Sequence, residues 1–559
     1  MARPRTRRRL AARLRNPQCR NRSHRNHAGS RTVTPTDSKF EVAVLGAGIA
    51  GSTLAAILAR HEVKVLLIDS GTHPRFAIGE STIPYATSTM HVLAERYRVP
   101  ELAPLSNFKD TATHVSTMCG QKQNFGFVYH EPDAPPAAEK ANQVMVPIWW
   151  RTEAHWFRQD IDTYVFNQAV RYGAVPRLNT CISDIGVDPH SGAELRTSSG
   201  ETFTAEYLVD ATGFRSVLAE RFGLREVPTR ARTHSRSLFT HMIGVEPYDD
   251  VAPLRYGQPS RWHDGTLHHV FDGGWLWVIP FDNHDSSKNP LCSVGLTLTG
   301  AAALADREAP DKEFADFLRR FPAVAEQFRT AKAVRPWVST GRLQYSATDT
   351  VGDRFCLTAQ SAGAVDALFS RGLANSFQTV NALAWRLIAA AREKDWSTER
   401  FVGVDAIQQR MFDMHDDLAY SSYVAFRDYD LWNVMIRVWD TFNFYTEAAL
   451  AHTFSRYQTT GDDELFRTHE RLDSGLAAMM RELLATARTT CEAVDRGELT
   501  PGDAAATLRA HLEQGRFWPT YMPQGKPDTR YFYTNPDLTT QFMYWTRTEA
   551  PQRIREYFA

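Results

Sequence analysis

The segment from Phe40 to Ser70, FEVAVLGAGIAGSTLAAILARHEVKVLLIDS, constrains the fold more than any other part of this chain. An apolar run is followed by a glycine turn, an Ala- and Leu-rich stretch, and a second apolar run ending at Asp69. That order reads as a strand, a helix and a parallel strand. Gly46, Gly48 and Gly51 supply G-x-G-x-x-G at the strand-to-helix turn, with Ala50 beside them. There the missing side chains let backbone N–H groups and the helix N-terminus approach a pyrophosphate. Asp69 stands where an acid accepts from a ribose hydroxyl. The spacing therefore predicts a dinucleotide site, for FAD or NAD.

A second segment, EYLVDATGFRS (Glu206 to Ser216), is an apolar strand running into Asp210, Ala211, Thr212 and Gly213. It resembles the DATG turn that closes the FAD domain of flavoprotein oxygenases and reductases. No second G-x-G-x-x-G is present for a nicotinamide nucleotide, so FAD is the expected ligand. Between the two segments, His155 to Ala174 carries apolar residues at helical spacing and stops before Gly173 turns the chain. Arg158 and Asp162 near its start resemble the pair found there in flavin monooxygenases; a solvated i,i+4 pair is the competing reading.

From about 234 to 297 the apolar runs become short, aromatic and β-branched with turn residues between, which predicts an antiparallel sheet. Val351 to Ala391 returns to strand, small-residue loop and helix, and beyond Trp396 the chain reads as mainly helical. The expected organisation is α/β: a basic disordered tail over 1–38, a Rossmann-like FAD-binding core over 39–395 with an inserted substrate sheet at about 230–345, and a helical region over 396–559.

With 64 Lys plus Arg against 64 Asp plus Glu, the balance gives no bulk attraction for nucleic acid or an anionic membrane. The Arg-dense first 36 residues are the exception; like-charge repulsion there favours disorder, and an apolar signal core is lacking. Six scattered cysteines without a CxxC pair signal neither zinc nor a disulfide framework, and a reducing cytoplasm is expected. No metal-ligand spacing is seen and no apolar run reaches membrane-spanning length.

Taken in order, G-x-G-x-x-G at Gly46, HPRFAIGESTIP at His73 to Pro84, NFK at Asn107 to Lys109, WxWxIP as Trp275, Trp277, Ile279 and Pro280, and LFSRG at Leu368 to Gly372 resemble the FADH2-dependent halogenases. Phrases such as GQKQNFGF look most like the actinobacterial chlorinases of tetracycline-type polyketides. The resemblance implies a cytoplasmic enzyme that receives FADH2 from a separate flavin reductase and forms a flavin C4a-hydroperoxide. Chloride or bromide then attacks it, and the resulting hypohalous acid reaches a lysine that directs it to an aromatic carbon. A phenolic or polycyclic polyketide-type substrate and a role in antibiotic biosynthesis follow, with no nucleic acid, membrane or metal involved.

On that resemblance Lys109 is the expected catalytic residue, with Lys122 in reserve. Gly46, Gly48, Ala50, Gly51, Asp69, Arg158, Asp210, Gly213, Gln360 and Gly372 are expected at the flavin, and the backbone amides of Arg371 and Gly372 at the halide. Trp275, Trp277, Ile279 and Pro280 are expected to separate flavin from substrate. The chain departs from the family in three places. Phe369 stands where tryptophan halogenases place a glutamate, which points toward a phenolic substrate that activates its own ring. Ala359-Gln360 replaces the flavoprotein GD pair, and Ala367 replaces a proline. The rival expectations are an aromatic monooxygenase on the same scaffold and a non-catalytic flavin-binding or partner-binding protein whose altered loop has lost activity.

Overall fold

The computed structural model describes residues 38–146, 152–300, 303 and 309–559. The Arg-rich tail expected at the N-terminus lies almost wholly outside them.

Strand Lys39–Leu45 pairs in parallel with Val65–Ile68 on one side and Thr202–Asp210 on the other. The order across this sheet is Val351–Gly352, Phe355–Leu357, Thr202–Asp210, Lys39–Leu45, Val65–Ile68 and Val175–Arg177, and a further pair of strands leaves the edge of Thr202–Asp210. Near-continuous apolar runs suit strands covered on both faces. Helices Ile49–Arg60, Arg158–Tyr172 and Arg371–Glu393 are part of that covering. The loops after Leu45 and after Asp210 meet at the C-terminal ends of neighbouring strands, where open α/β sheets bind their ligands.

The second sheet is larger than the sequence suggested. Its order is Lys332–Ala333, Ser235–Ile243, Cys292–Thr299, Gly274–Pro280, Thr266–Phe271, Asn124–His130, Ala141–Met145 and Tyr531–Phe532. Two strands thus come from before the expected insertion and one from the C-terminal region. Asn124–His130 is buried throughout, with Phe125, Phe127 and Tyr129 at alternate positions. A separate small ladder joins Gly120–Lys122 to Glu153–His155 and sets Lys122 directly opposite Glu153.

The C-terminal region is mainly helical, with Val402–Ala425, Tyr429–Thr460, Gly475–Asp495 and Pro501–Gly515 as its main elements. It shares a core with the rest of the chain. Trp432 and Trp439, both buried, set their rings edge-on to Phe127, and Trp439 also meets Phe125.

Candidate active site

The glycine turn is built as the dinucleotide reading requires. Gly46 has φ +101°, and a Cβ there would stand 2.4 Å from the Ala211 carbonyl oxygen. A Cβ on Gly51 would fall 2.0 Å from the Gly46 oxygen. Both are steric requirements, whereas a Cβ on Gly48 meets only an Arg75 nitrogen at 3.8 Å. Helix Ile49–Arg60 begins with neither a side-chain cap nor an acid in its first turn, leaving its positive end open to phosphate.

Asp69 accepts from the Ala47 and Gly71 amides, each at 2.7 Å, and from both ends of the Arg75 guanidinium at 2.6 and 2.9 Å. Burial alone would raise its carboxyl, but Arg75 and the two amides hold it below the ordinary range. The sequence reading did not find Arg75; its place in HPRF six residues after Asp69 was the available signal. Asp210 is engaged in the same manner. It accepts from Thr212 N and Oγ1, Ser216 Oγ, Leu218 N and Ser361 Oγ between 2.6 and 3.0 Å, so it organises the turn around Gly213. Ser361 also takes the Gly213 amide at 2.8 Å.

Beside this turn lies a cavity of about 670 Å³. Arg158, Gln360, Gly372, Trp275, Trp277 and Ile279 all contribute to its wall. Arg158 is buried and grips Asp162 through two nitrogens, at 2.7 and 3.0 Å, while Nη1 donates to the carbonyls of Ile78 and Gly79. Glu80 joins the wall and accepts from His241 Nε2 at 2.7 Å; Arg335 Nε, a donor only, lies 3.2 Å from the other ring nitrogen and fixes the tautomer. Two buried wall atoms, Asn375 Oδ1 and His415 Nε2, have no partner in the protein, as fits a wall completed by the polar edge of a ligand. Helix Arg371–Glu393 starts at this cavity behind Ser370, whose φ of +54° turns the chain into it.

The tryptophans sit on a strand buried from end to end. Their ring centroids are 5.5 Å apart. Trp275 Nε1 donates to Tyr423 Oη at 3.0 Å, and Trp277 lies over Gly295, where any Cβ would fall 2.0 Å from the indole. Tyr423 in turn donates to Asp366 at 2.9 Å. Phe369 is buried and stacks on Trp439 at 4.9 Å.

The two candidate lysines are separated by their surroundings. Lys109 lies exposed in the first turn of the short helix Phe108–His114; neither lysine stands in the cavity wall itself, and among the described residues no hydrogen bond joins the Lys109 amine to a wall residue. Lys122 is wholly buried. Its Nζ donates to Ser81 Oγ at 2.6 Å and to the Thr82 carbonyl at 2.7 Å, with the Phe125 ring centroid 3.1 Å away. Burial pushes its ammonium well below the ordinary lysine value, and the carboxylate of Glu153 opposes that only in part.

A directed chain of hydrogen bonds continues from this amine. His155 Nδ1 faces the Pro280 carbonyl at 2.7 Å, and a carbonyl only accepts, so Nδ1 carries the proton. Burial, reinforced by the nearby Lys122, drives the imidazole down to about 3, so it is neutral near pH 7. Its Nε2 therefore accepts from Thr266 Oγ1 at 2.9 Å, Thr266 accepts from Ser81 at 2.8 Å, and Ser81 accepts from Lys122. Ser81 and Thr266 line the cavity, so the chain joins the buried amine to its wall.

The model for the FAD binding domain matches residues 39–396. The chain is 40% identical over 534 residues to tetracycline 7-halogenase of Kitasatospora aureofaciens, covering 94% of this chain and 95% of that protein. It is also 40% identical over 532 residues to monodechloroaminopyrrolnitrin halogenase PrnC of Pseudomonas fluorescens, covering 93% and 94%. The chain belongs to the flavin-dependent halogenases. Among solved structures, halogenase PltM in complex with phloroglucinol and FAD superposes with a TM-score of 0.84 at 33% identity, covering 89% of this chain and all of that one.

Membership makes this protein an FAD-binding enzyme, and the cradle at Gly46 and Gly51, the uncapped helix and the unpartnered wall atoms suit that cofactor. Among the described residues no group of His, Cys, Asp and Glu is placed to hold a metal ion, and no helix is long and apolar enough to cross a membrane.

Proposed function

We propose that this halogenase chlorinates or brominates a phenolic or comparably electron-rich aromatic substrate, and that Lys122 rather than Lys109 delivers the halogen. The observation that carries the assignment is the burial of the Lys122 amine at the end of a hydrogen-bonded chain that starts on the cavity wall. Reduced flavin and O2, supplied by a separate reductase and by solution, provide the oxidising power that turns halide into hypohalous acid.

The residues of this chain perform the rest. A neutral amine has two N–H bonds and one lone pair. Ser81 Oγ and the Thr82 carbonyl take the two N–H bonds, leaving the lone pair as the nucleophile. Nitrogen attacks the halogen of HOX, the O–X bond breaks, and the departing hydroxide takes a proton from nitrogen to leave as water. An aromatic carbon then attacks the halogen of the N–X group, so the aryl–X bond forms, the N–X bond breaks, and the ring proton restores the amine. Burial favours this course because it disfavours the ammonium.

Gly46, Gly48, Ala50, Gly51, Asp69, Arg158, Asp210, Gly213, Gln360 and Gly372 form or support the flavin site in this reading. Halide rests on the first amides of helix Arg371–Glu393, and Trp275, Trp277, Ile279 and Pro280 keep substrate from the flavin. Phe369 supports a phenolic substrate, because no carboxylate stands there to assist the lysine. A tetracycline-type polyketide is favoured by the likeness to tetracycline 7-halogenase. The test is incubation of the full chain with reductase-supplied FADH2, O2, chloride or bromide, and a panel of phenols, anthracenes and indoles. Mass spectrometry should find halide in phenolic products; hydroxylated products alone would overturn the reading in favour of a monooxygenase.

A further inference from the structure

A second cavity, of about 370 Å³, lies among the C-terminal helices beside helix Arg371–Glu393. Gly372, Asn375 and Thr379 of that helix face the flavin side, while Arg371 and Gln378 face this one. Met411 borders both cavities. The volume falls within the range of about 300–1,000 Å³ usual for small-molecule sites.

Three features of its wall ask for a ligand. Arg371 is buried, donates through Nη1 to Asn443 Oδ1 at 2.7 Å and covers the Phe442 ring at 4.9 Å, yet among the described residues no carboxylate pairs with it. Burial lowers its guanidinium to about 10, so it remains charged near pH 7, and an unpaired buried cation is costly. His469 and His452 each present an Nε2 atom that is buried and has no partner in the protein. His469 Nδ1 lies 3.3 Å from the Tyr557 hydroxyl and 3.4 Å from that of Thr453. When either hydroxyl donates to Nδ1, Nε2 carries the proton and is a donor, and burial holds this ring neutral by lowering it to about 4. Donors and a cation thus meet beside an apolar wall of Met414, Phe442, Leu476 and Met480, while the exposed carboxylates Asp462, Glu464, Asp473 and Glu556 also border the space, with Arg456 and Arg481 among them.

We propose that this cavity is a binding site for a small aromatic anion, a carboxylate or a phenolate, separate from the flavin cavity. The guanidinium and the His469 N–H hold the charged oxygens, and the ring lies against Phe442 and the methionine thioethers. Inorganic anions fit less well, since they leave the apolar wall uncovered.

Benzoate titrated into the FAD-loaded full chain, followed by isothermal calorimetry, tests this, with the neutral isostere benzamide and sulfate as comparison probes. Benzoate is expected to bind one to one, and benzamide and sulfate at least about tenfold more weakly. Arg371→Met should weaken benzoate at least about tenfold. Ala449→Phe, which fills the cavity from helix Tyr429–Thr460, should abolish binding, with the bound-flavin spectrum confirming a folded protein. The proposal is overturned if benzoate does not bind at about 10 mM, if benzamide or sulfate binds as well, or if added FAD displaces benzoate while Ala449→Phe leaves it bound.

Discussion

Lys122 Nζ stands 2.6 Å from Ser81 Oγ, and this one contact ties the buried amine to the segment that forms the cavity wall. Ser81 belongs to the GESTIP motif and Lys122 to a strand some forty residues later, which meet because Gly120–Lys122 pairs with Glu153–His155 and Ser81 bridges to His155. The lysine is therefore held by three separate parts of the chain. Its side chain has no rotamer freedom to lose when the reaction begins.

The first expectation separates the two lysines. Lys122→Met should lower halide incorporation by at least about a hundredfold, the lower end of what a positioned reactive group supplies, with FAD still bound. Lys109→Ala, a change at an exposed helix turn, should leave the rate within about twofold. Product mass spectra on both variants decide it; loss of halogenation in the Lys109 variant with retention in the Lys122 variant would reverse the assignment.

Thr266 is a positioning residue, since it touches the lysine only through Ser81. Thr266→Val keeps the shape but deprives His155 Nε2 of its donor and frees the Ser81 hydroxyl to turn. Halogenation should fall about tenfold, the scale of one broken buried hydrogen bond, with its pH profile displaced. Thr266→Ser should restore both. A Thr266→Val enzyme with unchanged rate and pH profile would show that the chain has no part in holding the amine.

Burial of Lys122 also leaves a mark on stability. The folded protein holds this group's titration below its unfolded value, so between the two values the unfolded chain binds the extra proton and stability rises with pH. The penalty is present at low pH and disappears as pH approaches the ordinary lysine value of 10.5. Urea unfolding of the native chain and Lys122→Met from pH 7 to 9 should therefore show the variant's advantage shrinking steadily. An advantage that stays constant or grows with pH would mean that the lysine is not forced toward its neutral form.

The α/β fold was legible because glycine spacing and apolar runs act locally: the turn at Gly46 and the strand ending in Asp210 could be read from adjacent residues. Lys122 was harder. What buries it is pairing with Glu153 and a bridge to Ser81, neither visible as a period in the sequence, whereas Lys109 sits in a recognisable motif and is exposed. Arg75 stands in the quoted HPRF stretch, but that local spacing does not tell that its guanidinium folds back onto the Asp69 carboxylate. The strand Asn124–His130 did carry a period, Phe125, Phe127 and Tyr129 at alternate positions, but its place in the second sheet is set by parallel pairing with Thr266–Phe271, which lies some 140 residues on.

The glycines of the cradle should not be equivalent. Gly51→Ala places a methyl 2.0 Å from a backbone oxygen that cannot move without shifting the first strand, so loss of FAD binding or of soluble protein is expected. Gly48→Ala meets only the tip of Arg75 at 3.8 Å from a backbone already extended, so flavin affinity should stay within about threefold. Flavin fluorescence titrations on the two variants check this; equal loss in both would show that phosphate approach, rather than strand–helix packing, sets the requirement.

Trp277 offers the sharpest test of the partition. Trp275 is tied through Tyr423 to Asp366, so replacing it disturbs a hydrogen-bond network as well as a wall, whereas Trp277 makes a single longer bond, Nε1 to Ser293 Oγ at 3.3 Å, and fills the space over Gly295. Trp277→Phe shortens the wall while keeping an aromatic ring, at a cost to packing of about 1–3 kcal/mol. If the indole separates flavin from substrate, hydrogen peroxide released per FADH2 should rise at least about twofold, and hydroxylated product should appear beside halogenated product. Trp275→Phe should do the same with a larger loss of stability. Should both variants keep the parent ratio of halogenated to hydroxylated product and the parent peroxide yield, the two rings are sheet core that merely borders the cavity, and oxidant is kept from substrate by another part of its wall.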